Sequence, residues 1–246
     1  MKAIGIIPAR YASTRFPGKP LVVIQGKTMI HRVYEQASKC SSLGSVVVAT
    51  DDERIYKEVE SFGGNVVMTA EHHKNGTERC VEALQKKNKA NWDVIVNIQG
   101  DEPFIYPEQI DKVVACFKNK EVQIATLAMA LENEKDLHNP SIIKVVRKQN
   151  GEALYFSRSP IPFARDAKGA DWTDKHGYLK HIGLYAFRTD IIEKLVALPP
   201  SSLELAESLE QLRWLENGYP IYVDLTKQES ISIDTPEDLK KLPPSP

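Results

Sequence analysis

Short apolar runs alternate with longer segments of helical spacing through the first half of the chain. Runs rich in Val and Ile predict strands at KAIGIIPA, SVVVAT, NVVMTA and DVIVNIQ. Helical patterns follow them, beginning near Thr28, at Asp51 or Asp52, at Gly76 and at Tyr106. This alternation is typical of βαβ units and predicts a mostly parallel sheet.

The pattern changes from about Val122. Strand-like segments now follow one another through loops or the turn at 149–151, which predicts antiparallel strands at IATLAMAL, IIKVVRK, ALYFSR and LKHIGLYAFR. We predict one periodic helix over LELAESLEQLRWLENG, late strands at PIYVDL and SISI, and a short helix at DTPEDLKKL capped by Asp234.

The predicted fold class is therefore α/β. A chain of 246 residues can form one large domain, and the sequence contains no linker or repeat that would divide it. We expect a single domain over 1–246, with a mixed, mostly parallel sheet flanked by helices. Residues of about 122–190 would form an antiparallel extension in the second half.

Charge and cysteine content exclude several classes of protein. The formal net charge of −1 argues against nucleic-acid and membrane binding, which usually need a basic excess. No apolar run approaches the roughly 20 residues of a membrane span, and the N-terminus does not resemble a signal peptide. Cys40, Cys80 and Cys116 lack the spacing of a zinc site or a disulfide framework, so we expect a cytoplasmic protein.

The loop after the first strand, within IIPARYASTRFPGKPL, carries the first candidate chemistry. Ligands of open α/β sheets bind beyond the carboxyl ends of the strands. Arg10, Arg15 and Lys19 supply cations there, while Ser13 and Thr14 supply hydroxyl donors, which suits a polyphosphate. The P-loop pattern fails and no G-x-G-x-x-G occurs. The alternative is a solvated surface loop with a chance cluster of charges.

Two aspartates are candidate ligands for Mg²⁺. Asp101 follows the fourth predicted strand, at the sheet edge where the cationic loop is expected, and Mg²⁺ prefers such oxygen ligands together with phosphates. Asp234 would reach the same site from the far end of the chain. The alternative is structural: Asp101 or Glu102 would cap the helix near Pro107, and Asp234 would cap the last helix.

Seven motifs, in order along nearly the whole chain, carry a family resemblance: IIPARYASTRFPGKPL, NGTERC, VNIQGDEP, ALYFSRSPIP, HIGLYAFR, LEQLR and DTPEDL. Together they resemble the CMP-Kdo synthetases, the 3-deoxy-manno-octulosonate (Kdo) cytidylyltransferases. The resemblance implies a bacterial, cytoplasmic, Mg²⁺-dependent homodimer. Its single domain would be nucleotide-binding, and the extension over about 122–190 would serve sugar binding and dimerisation. It implies a nucleotidyltransferase that joins the small-molecule substrates CTP and Kdo to give CMP-Kdo and pyrophosphate for lipopolysaccharide biosynthesis.

The resemblance also implies roles for individual residues. Those assigned to CTP are Pro8, Ala9, Arg10, Ser13, Arg15, Lys19, Asn75, Gly76, Thr77, Arg79 and Gln99. The catalytic set is Arg10, Arg15, Lys19 and Asp101, and the metal ligands are Asp101 and Asp234. The sugar-binding set is Arg158, His181, Tyr185, Glu210 and Gln211.

Taken without the resemblance, the sugar-binding residues have ordinary structural readings. A histidine on a strand, such as His181, is more often a core residue, and LEQLR is more often an amphipathic helix with solvated Glu and Gln. Two departures from the family pattern are visible: SISI precedes Asp234 where many members have a glycine-containing stretch, and the loop over 167–180 does not align.

Three rival functions remain open. A glycosyltransferase using a nucleotide sugar would share an α/β sheet and a strand-end acid, although such enzymes usually carry an Asp-x-Asp pair. A catalytically silent nucleotide-binding module could keep the same fold. The nearest rival is a cytidylyltransferase for a related sugar acid, an amino-substituted Kdo or a sialic acid, because one side chain or water can read a single ring substituent.

Overall fold

The structure is a computed structural model that describes residues 1–12, 16–167 and 172–242. The strands are β1 (Ala3–Ala9), β2 (Val23–Ile24), β3 (Lys27–Thr28), β4 (Leu43–Thr50), β5 (Val66–Met68), β6 (Val94–Asn97), β7 (Ile124–Ala130), β8 (Lys144–Arg147), β9 (Ala153–Ser157), β10 (Leu179–Arg188) and β11 (Ile221–Leu225). The α-helices are α1 (Met29–Ser38), α2 (Glu53–Ser61), α3 (Gly76–Lys86), α4 (Pro107–Ala115), α5 (Glu134–His138), α6 (Trp172–Lys175), α7 (Ile192–Val196), α8 (Ser202–Glu207) and α9 (Glu210–Glu216).

Internal packing divides the chain into two compact units. The first comprises Met1–Val114, Ala186–Val196 and the segment from Ser230 onward, and the second comprises Ala115–Tyr185 and Ala197–Glu229. Most of the predicted extension over about 122–190 belongs to the second unit. The single domain over 1–246 stays a prediction.

The first unit is built on parallel strands. β1 pairs in parallel with β4 on one side and with β6 on the other, and β5 pairs in parallel with β4. The apolar run of β1 is buried along almost its whole length, as expected for a strand covered on both faces. Its carboxyl end at Ala9 and that of β6 at Asn97 therefore lie at the same edge of the sheet.

The helices of the first unit begin where their capping residues predict. Thr28 accepts a hydrogen bond from His31 N at the start of α1, and Asp52 accepts one from Arg54 N at the start of α2. Met29, Ile30, Val33 and Ala37 form the buried face of α1, whereas Tyr34, predicted on that face, is only partly buried. The predicted sequence of strands and helices up to α4 is confirmed.

The second unit contains the antiparallel strands. β8 pairs antiparallel with β9 and with β10, while β11 pairs in parallel with β7. The turn between β8 and β9 uses Gly151 at φ 94°, in the left-handed region that the Asn-Gly pair favours. The mixed, mostly parallel sheet with flanking helices is confirmed. Within the described residues, no helix combines the length and apolar composition needed to span a bilayer.

Three local predictions are wrong. The helix expected over LELAESLEQLRWLENG is two helices, α8 and α9, because Ser208 adopts φ 52° and ends α8. SISI forms no strand. Asp234 does not cap the last helix: Thr235 caps a 3-10 helix over Pro236–Lys241 through a reciprocal box with Asp238, which leaves the Asp234 carboxylate available for other contacts.

Candidate active site

The opening loop is held closed at its base. Gly18 N–H donates to the Tyr11 carbonyl at 3.0 Å, and Gly18 adopts φ 71°, which only glycine enters easily. The guanidinium carbon of Arg54 lies 3.3 Å from the centroid of the Tyr11 ring. A 3-10 turn over Lys19–Leu21 follows Gly18 directly, so the hydrogen bond at Gly18 fixes the backbone position of Lys19. Ser13 and Arg15, both predicted CTP ligands, lie outside the described residues.

Lys19 meets both predicted metal ligands. Its Nζ lies 2.8 Å from Asp101 Oδ2 and 3.4 Å from Asp234 Oδ1. Asp101 follows β6, and its carbonyl accepts a hydrogen bond from Ile233 N at 2.9 Å. That backbone bond brings the residue before Asp234 onto the strand-end turn. Three segments distant in sequence therefore place one cation and two carboxylates together.

Gly100 explains why the turn before Asp101 can pass so close to β1. A Cβ at residue 100 would lie 2.9 Å from the Pro8 carbonyl oxygen, which is backbone and cannot move aside easily. Glycine removes that clash. The Asp101 turn and the end of β1 consequently form adjacent walls of one cavity.

The cavity has a volume of about 240 Å³. Its lining residues are Pro8, Ala9, Arg10, Lys19, Pro20, His73, Asn75, Gly76, Arg79, Gln99, Gly100 and Asp101. Nine of them were assigned to nucleotide or metal from the sequence. Thr77, also assigned to CTP, is buried in the first turn of α3 and is not among the lining residues.

The start of α3 forms a second wall of this cavity. Asn75 caps the helix by accepting a hydrogen bond from Glu78 N at 2.8 Å, so the positive end of the helix dipole faces the cavity beside Arg10 and Lys19. Arg79 is almost fully buried, with Nη2 2.6 Å from Asp51 Oδ2 and Nη1 2.6 Å from Thr69 Oγ1. Its guanidinium is thus fixed by the protein itself.

Glu102 is a buried acid beside the predicted metal ligands. Burial raises the pKa of Glu102 to about 7; a 2.6 Å hydrogen bond from Ser230 Oγ opposes the shift, and the charge of Asp101 adds to it. The bond to Ser230 attaches the strand-end turn to the segment that leads to Asp234. The sequence reading of Glu102 as a possible helix cap missed this contact.

The described residues fit a divalent cation held jointly by protein and substrate. Asp101 and Asp234 converge on the Lys19 ammonium group, which shows that their oxygens can share one positive charge. No cluster of three or more His, Cys, Asp or Glu side chains suited to a metal occurs in the described parts of the chain. Mg²⁺ commonly uses one or two carboxylates and takes its other ligands from water and phosphates.

The predicted sugar-binding residues all belong to the second unit. His181 on β10 has Nε2 3.0 Å from Thr126 Oγ1, and that hydroxyl oxygen also lies 2.9 Å from the Leu184 carbonyl. Because a carbonyl only accepts, the Thr126 proton goes to the carbonyl and the Thr126 oxygen accepts from His181 Nε2–H. Burial lowers the pKa of His181 to about 3, so the ring is neutral and Nδ1 remains an acceptor.

Tyr185 and Gln211 are largely buried close to the start of α9. The Tyr185 ring packs edge-on against Trp214 at 5.3 Å and lies 5.2 Å from the His181 ring. Burial, together with the negative charge of Glu210, raises the pKa of Tyr185 well above its usual value. Gln211 follows Glu210 in the first turn of α9 and is 6% exposed. Tyr185 and Gln211 therefore offer uncharged hydrogen-bonding groups among largely apolar side chains.

Comparison with known proteins identifies the family. The cytidylyltransferase family model matches residues 4–231. The 3-deoxy-manno-octulosonate cytidylyltransferases of Parabacteroides distasonis and Bacteroides thetaiotaomicron are each 58% identical to the chain, covering 98% of it and 96% of the relative. The chain belongs to the 3-deoxy-manno-octulosonate cytidylyltransferase family.

A solved structure supports the same family at the level of the fold. CMP:2-keto-3-deoxy-manno-octonic acid synthetase, complexed with CTP, superimposes with a TM-score of 0.91 at 42% identity, over 98% of this chain and 96% of that one. A 4-diphosphocytidyl-2C-methyl-D-erythritol synthase from Anaerococcus prevotii is 14% identical with a TM-score of 0.63, over 98% of this chain and 94% of that one, and shows the shared fold alone.

Three lining residues, Pro20, His73 and Gly100, were not assigned from the sequence, and His73 is the titratable one. His73 lies in the loop between β5 and α3, with Nε2 2.5 Å from Glu82 Oε2. Glu82 also accepts from Ala70 N at 2.9 Å and pairs with Lys86 at 2.8 Å; despite its partial burial, these partners lower its pKa to about 2. The position of His73 three residues before Gly76, after a predicted strand, was the available signal.

Proposed function

We propose that the chain transfers the cytidylyl group of CTP to Kdo, giving CMP-Kdo and pyrophosphate, as a Mg²⁺-dependent enzyme of lipopolysaccharide biosynthesis. The observation that carries the proposal is the meeting of Lys19 with Asp101 and Asp234 at the wall of the first-unit cavity. Membership of the family adds the substrate class, because the relatives are named for Kdo and cytidylyl transfer.

The cavity suits the nucleotide. Arg10, Lys19 and the start of α3 bring positive charge to one space, which favours the triphosphate. Pro8, Ala9 and Gly76 add a flat, weakly polar wall against which a cytosine base can lie. Arg15 and Ser13 are proposed to complete the set of triphosphate ligands, on the family resemblance.

The reaction is an in-line displacement at the α-phosphorus of CTP. The anomeric C2 hydroxyl oxygen of Kdo forms a bond to that phosphorus, and the bond from the phosphorus to the α,β-bridging oxygen breaks. Pyrophosphate leaves with the bonding pair, and the hydroxyl proton passes to solvent. Such reactions depend on positioning and on neutralising charge, which Arg10 and Lys19 provide for the leaving pyrophosphate.

Asp101 and Asp234 are the residues that would hold Mg²⁺. When bound, Mg²⁺ supplies a Lewis acid that neutralises phosphate charge and lowers the pKa of a sugar hydroxyl. The role of this chain's own groups is to fix two carboxylate oxygens in advance. The backbone bond from Ile233 to Asp101 and the Glu102–Ser230 bond support that arrangement.

The sugar acid is assigned to residues of the second unit. Arg158 offers a cation for its anionic group, and the Nδ1 acceptor of neutral His181 can receive a hydroxyl proton. Tyr185, Glu210 and Gln211 provide the remaining polar groups on the family resemblance. Neutral donors and acceptors suit a ligand with many hydroxyl groups and a single carboxylate.

Pyrophosphate release tests the function directly. Purified protein is incubated with CTP, Mg²⁺ and, separately, Kdo, an amino-substituted Kdo and a sialic acid. The proposal expects pyrophosphate with Kdo at the highest kcat/KM, and loss of product when EDTA removes the metal. Stronger use of another acid would select the related cytidylyltransferase instead. Release of no pyrophosphate with any acid would select a glycosyltransferase or a silent nucleotide-binding module.

Two further properties are proposed with the function. Cytoplasmic location is proposed on the family resemblance. A homodimer is proposed on the family resemblance. Light scattering of the purified chain is expected to give twice the monomer mass of 27.6 kDa, and a stable monomer with full activity would contradict it.

A further inference from the structure

We propose that Glu207 and Lys144 are positioning residues that fix Arg158 in the orientation used for the sugar acid. The inference rests on the proposed function for the role of Arg158, and it adds two residues to which no sugar-related role was assigned from the sequence. The contacts that carry it all lie within the second unit.

Both backbone polar groups of Arg158 are held by charged side chains. Its N–H donates to Glu207 Oε2 at 2.9 Å, and its carbonyl accepts from Lys144 Nζ. The other oxygen of Glu207 accepts from Ser157 Oγ at 2.6 Å. The end of β9 is thus fixed by a carboxylate on one side and an ammonium group on the other.

The side chain of Arg158 is fixed as well. Nε donates to the Glu207 carbonyl at 2.6 Å, Nη1 to the Pro140 carbonyl at 2.9 Å, and Nη2 to the Ser208 carbonyl at 3.4 Å. An Arg side chain has five N–H donors, so two remain after these three bonds. A guanidinium held in this way loses little entropy when it binds a ligand.

Lys144 connects the same segments through hydrogen bonds from its buried side chain. Its side chain is fully buried, and Nζ donates to the carbonyls of Asn139 at 3.0 Å and Ile142 at 2.6 Å as well as to that of Arg158. Each of the three protons of the Lys144 ammonium group therefore has one carbonyl acceptor. Two of these carbonyls precede Lys144 in the chain, and the third is that of Arg158. Burial lowers the pKa of Lys144, an effect that the negative charge of Glu207 opposes.

The charge of Arg158 is left for a ligand. In the described parts of the chain, its guanidinium forms no ion pair with an acidic side chain; the nearby Glu207 directs its carboxylate to Ser157 and to a backbone N–H instead. Arg213, by contrast, pairs with Glu204 at 2.7 Å. A preorganised cation without an anionic protein partner is suited to an anionic ligand.

Glu216 provides a matched control within the same unit. Its carboxylate also accepts from one serine hydroxyl, Ser202 Oγ at 2.8 Å, and from one backbone N–H, Leu203 at 2.9 Å. It has no contact with Arg158 among the described residues. Glu207→Gln and Glu216→Gln therefore remove the same kind of acceptor at different places.

The experiment measures pyrophosphate release at varied Kdo and varied CTP for the wild type and both variants. In Glu207→Gln the amide can satisfy only one of the two donors, so we expect the KM for Kdo to rise about tenfold, from the loss of one hydrogen bond to a charged group. The KM for CTP should change less than about twofold. Glu216→Gln should keep both constants, and it should lower the melting temperature less than Glu207→Gln does, because the hydrogen bonds of Glu216 are exposed and those of Glu207 are partly buried.

The possible results distinguish failure of the positioning role from failure of the proposed function. An active wild type with an unchanged KM for Kdo in Glu207→Gln would overturn the positioning role alone. An equal rise in the KM for both substrates would also overturn it, because that pattern reports general damage. A wild type that releases no pyrophosphate with any sugar acid would overturn the proposed function, and the inference with it.

A milder variant keeps the test valid if Glu207→Gln does not fold. Ser157→Ala removes one donor to the Glu207 carboxylate and leaves the bond to Arg158 N–H intact. It should raise the KM for Kdo about threefold with the KM for CTP unchanged, since half of the support for the carboxylate is lost. No change in the KM for Kdo would overturn the role of Glu207.

Discussion

At the Lys19–Asp101–Asp234 site of the first unit, opposite charges lie together on partly exposed side chains, whereas Tyr185 and Gln211, assigned to the sugar in the second unit, are uncharged and buried. Lys19, Asp101 and Asp234 keep 15%, 26% and 41% of their side chains exposed and balance one another as ions. His181, by comparison, loses its proton through burial. The first arrangement suits phosphates and metal ions, which carry high charge, and the second suits hydroxyl groups, which do not.

The two sites show different ways of stabilising polar groups that are partly or wholly removed from water. In the first, opposite charges lie together at loop ends where solvent still screens them. In the second, the three protons of the buried Lys144 ammonium group are matched to three backbone carbonyls. Substitutions at the charged site of the first unit should therefore lower turnover, whereas substitutions of a buried donor in the second unit should lower stability.

The largest effect is expected for Asp101→Asn. Removing one charge from the pair that would hold Mg²⁺ should lower kcat by at least about a hundredfold, by analogy with other preorganised electrostatic groups. The melting temperature should change little, because the Lys19–Asp101 pair is partly exposed. Asp93→Asn, at a side chain that is 58% exposed, is the control and should keep full activity. A near-wild-type kcat for Asp101→Asn would contradict the metal assignment.

A smaller effect, on stability, is expected for Lys144→Met. Methionine matches the length of the buried stem but leaves three carbonyl oxygens without their donor, which should lower the free energy of unfolding by about 3 kcal/mol. Urea unfolding followed by circular dichroism measures it. Lys148→Met, at an exposed pair with Glu152, serves as the control and should change stability by less than about 0.5 kcal/mol. Equal stability of the two variants would show that the carbonyl bonds of Lys144 do not stabilise the second unit.

The smallest effect is a pH dependence set by His181. Its folded pKa of about 3 lies below the usual histidine pKa of about 6.5, so the unfolded chain binds more protons between these values and stability falls as the pH is lowered through that window. Between pH 7.5 and pH 5 the loss should be about 2 kcal/mol. His181→Asn should remove it. Comparison at pH 8, where the histidine is neutral in both states, isolates the packing change, and an unchanged slope below pH 6.5 would refute the assignment.

Much of the first unit could be predicted because its signals are local. Each parallel strand is a short apolar run, each helix starts at a capping side chain such as Thr28 or Asp52, and ligands of such sheets bind at the strand ends. Arg10, Lys19 and Asp101 were found by that rule. His73 was missed because it lies before the motif NGTERC and its partner Glu82 lies after it, and pairing across the motif depends on the folded path of the loop.

The second unit was harder to predict because its polar residues resemble core residues. Periodicity continued through Ser208, yet that residue adopts φ 52° and divides the expected helix, so α9 begins afresh at Glu210. Nothing in the spacing of Lys144 and Glu207 indicates that both would meet Arg158. Such contacts join segments many residues apart, and hydrophobic periodicity carries no information about them.

The hydrogen bond from Ile233 N to the Asp101 carbonyl also sets an order for biosynthesis. Lys19 and Asp101 leave the ribosome long before the segment that contains Asp234, so a nascent chain has only one of the two carboxylates until that segment is translated. A chain truncated before residue 233 would lack both the second carboxylate and the strand-end contact that fixes it. Lys19 therefore has both carboxylates beside it only after every described strand from β1 to β11 has been synthesised.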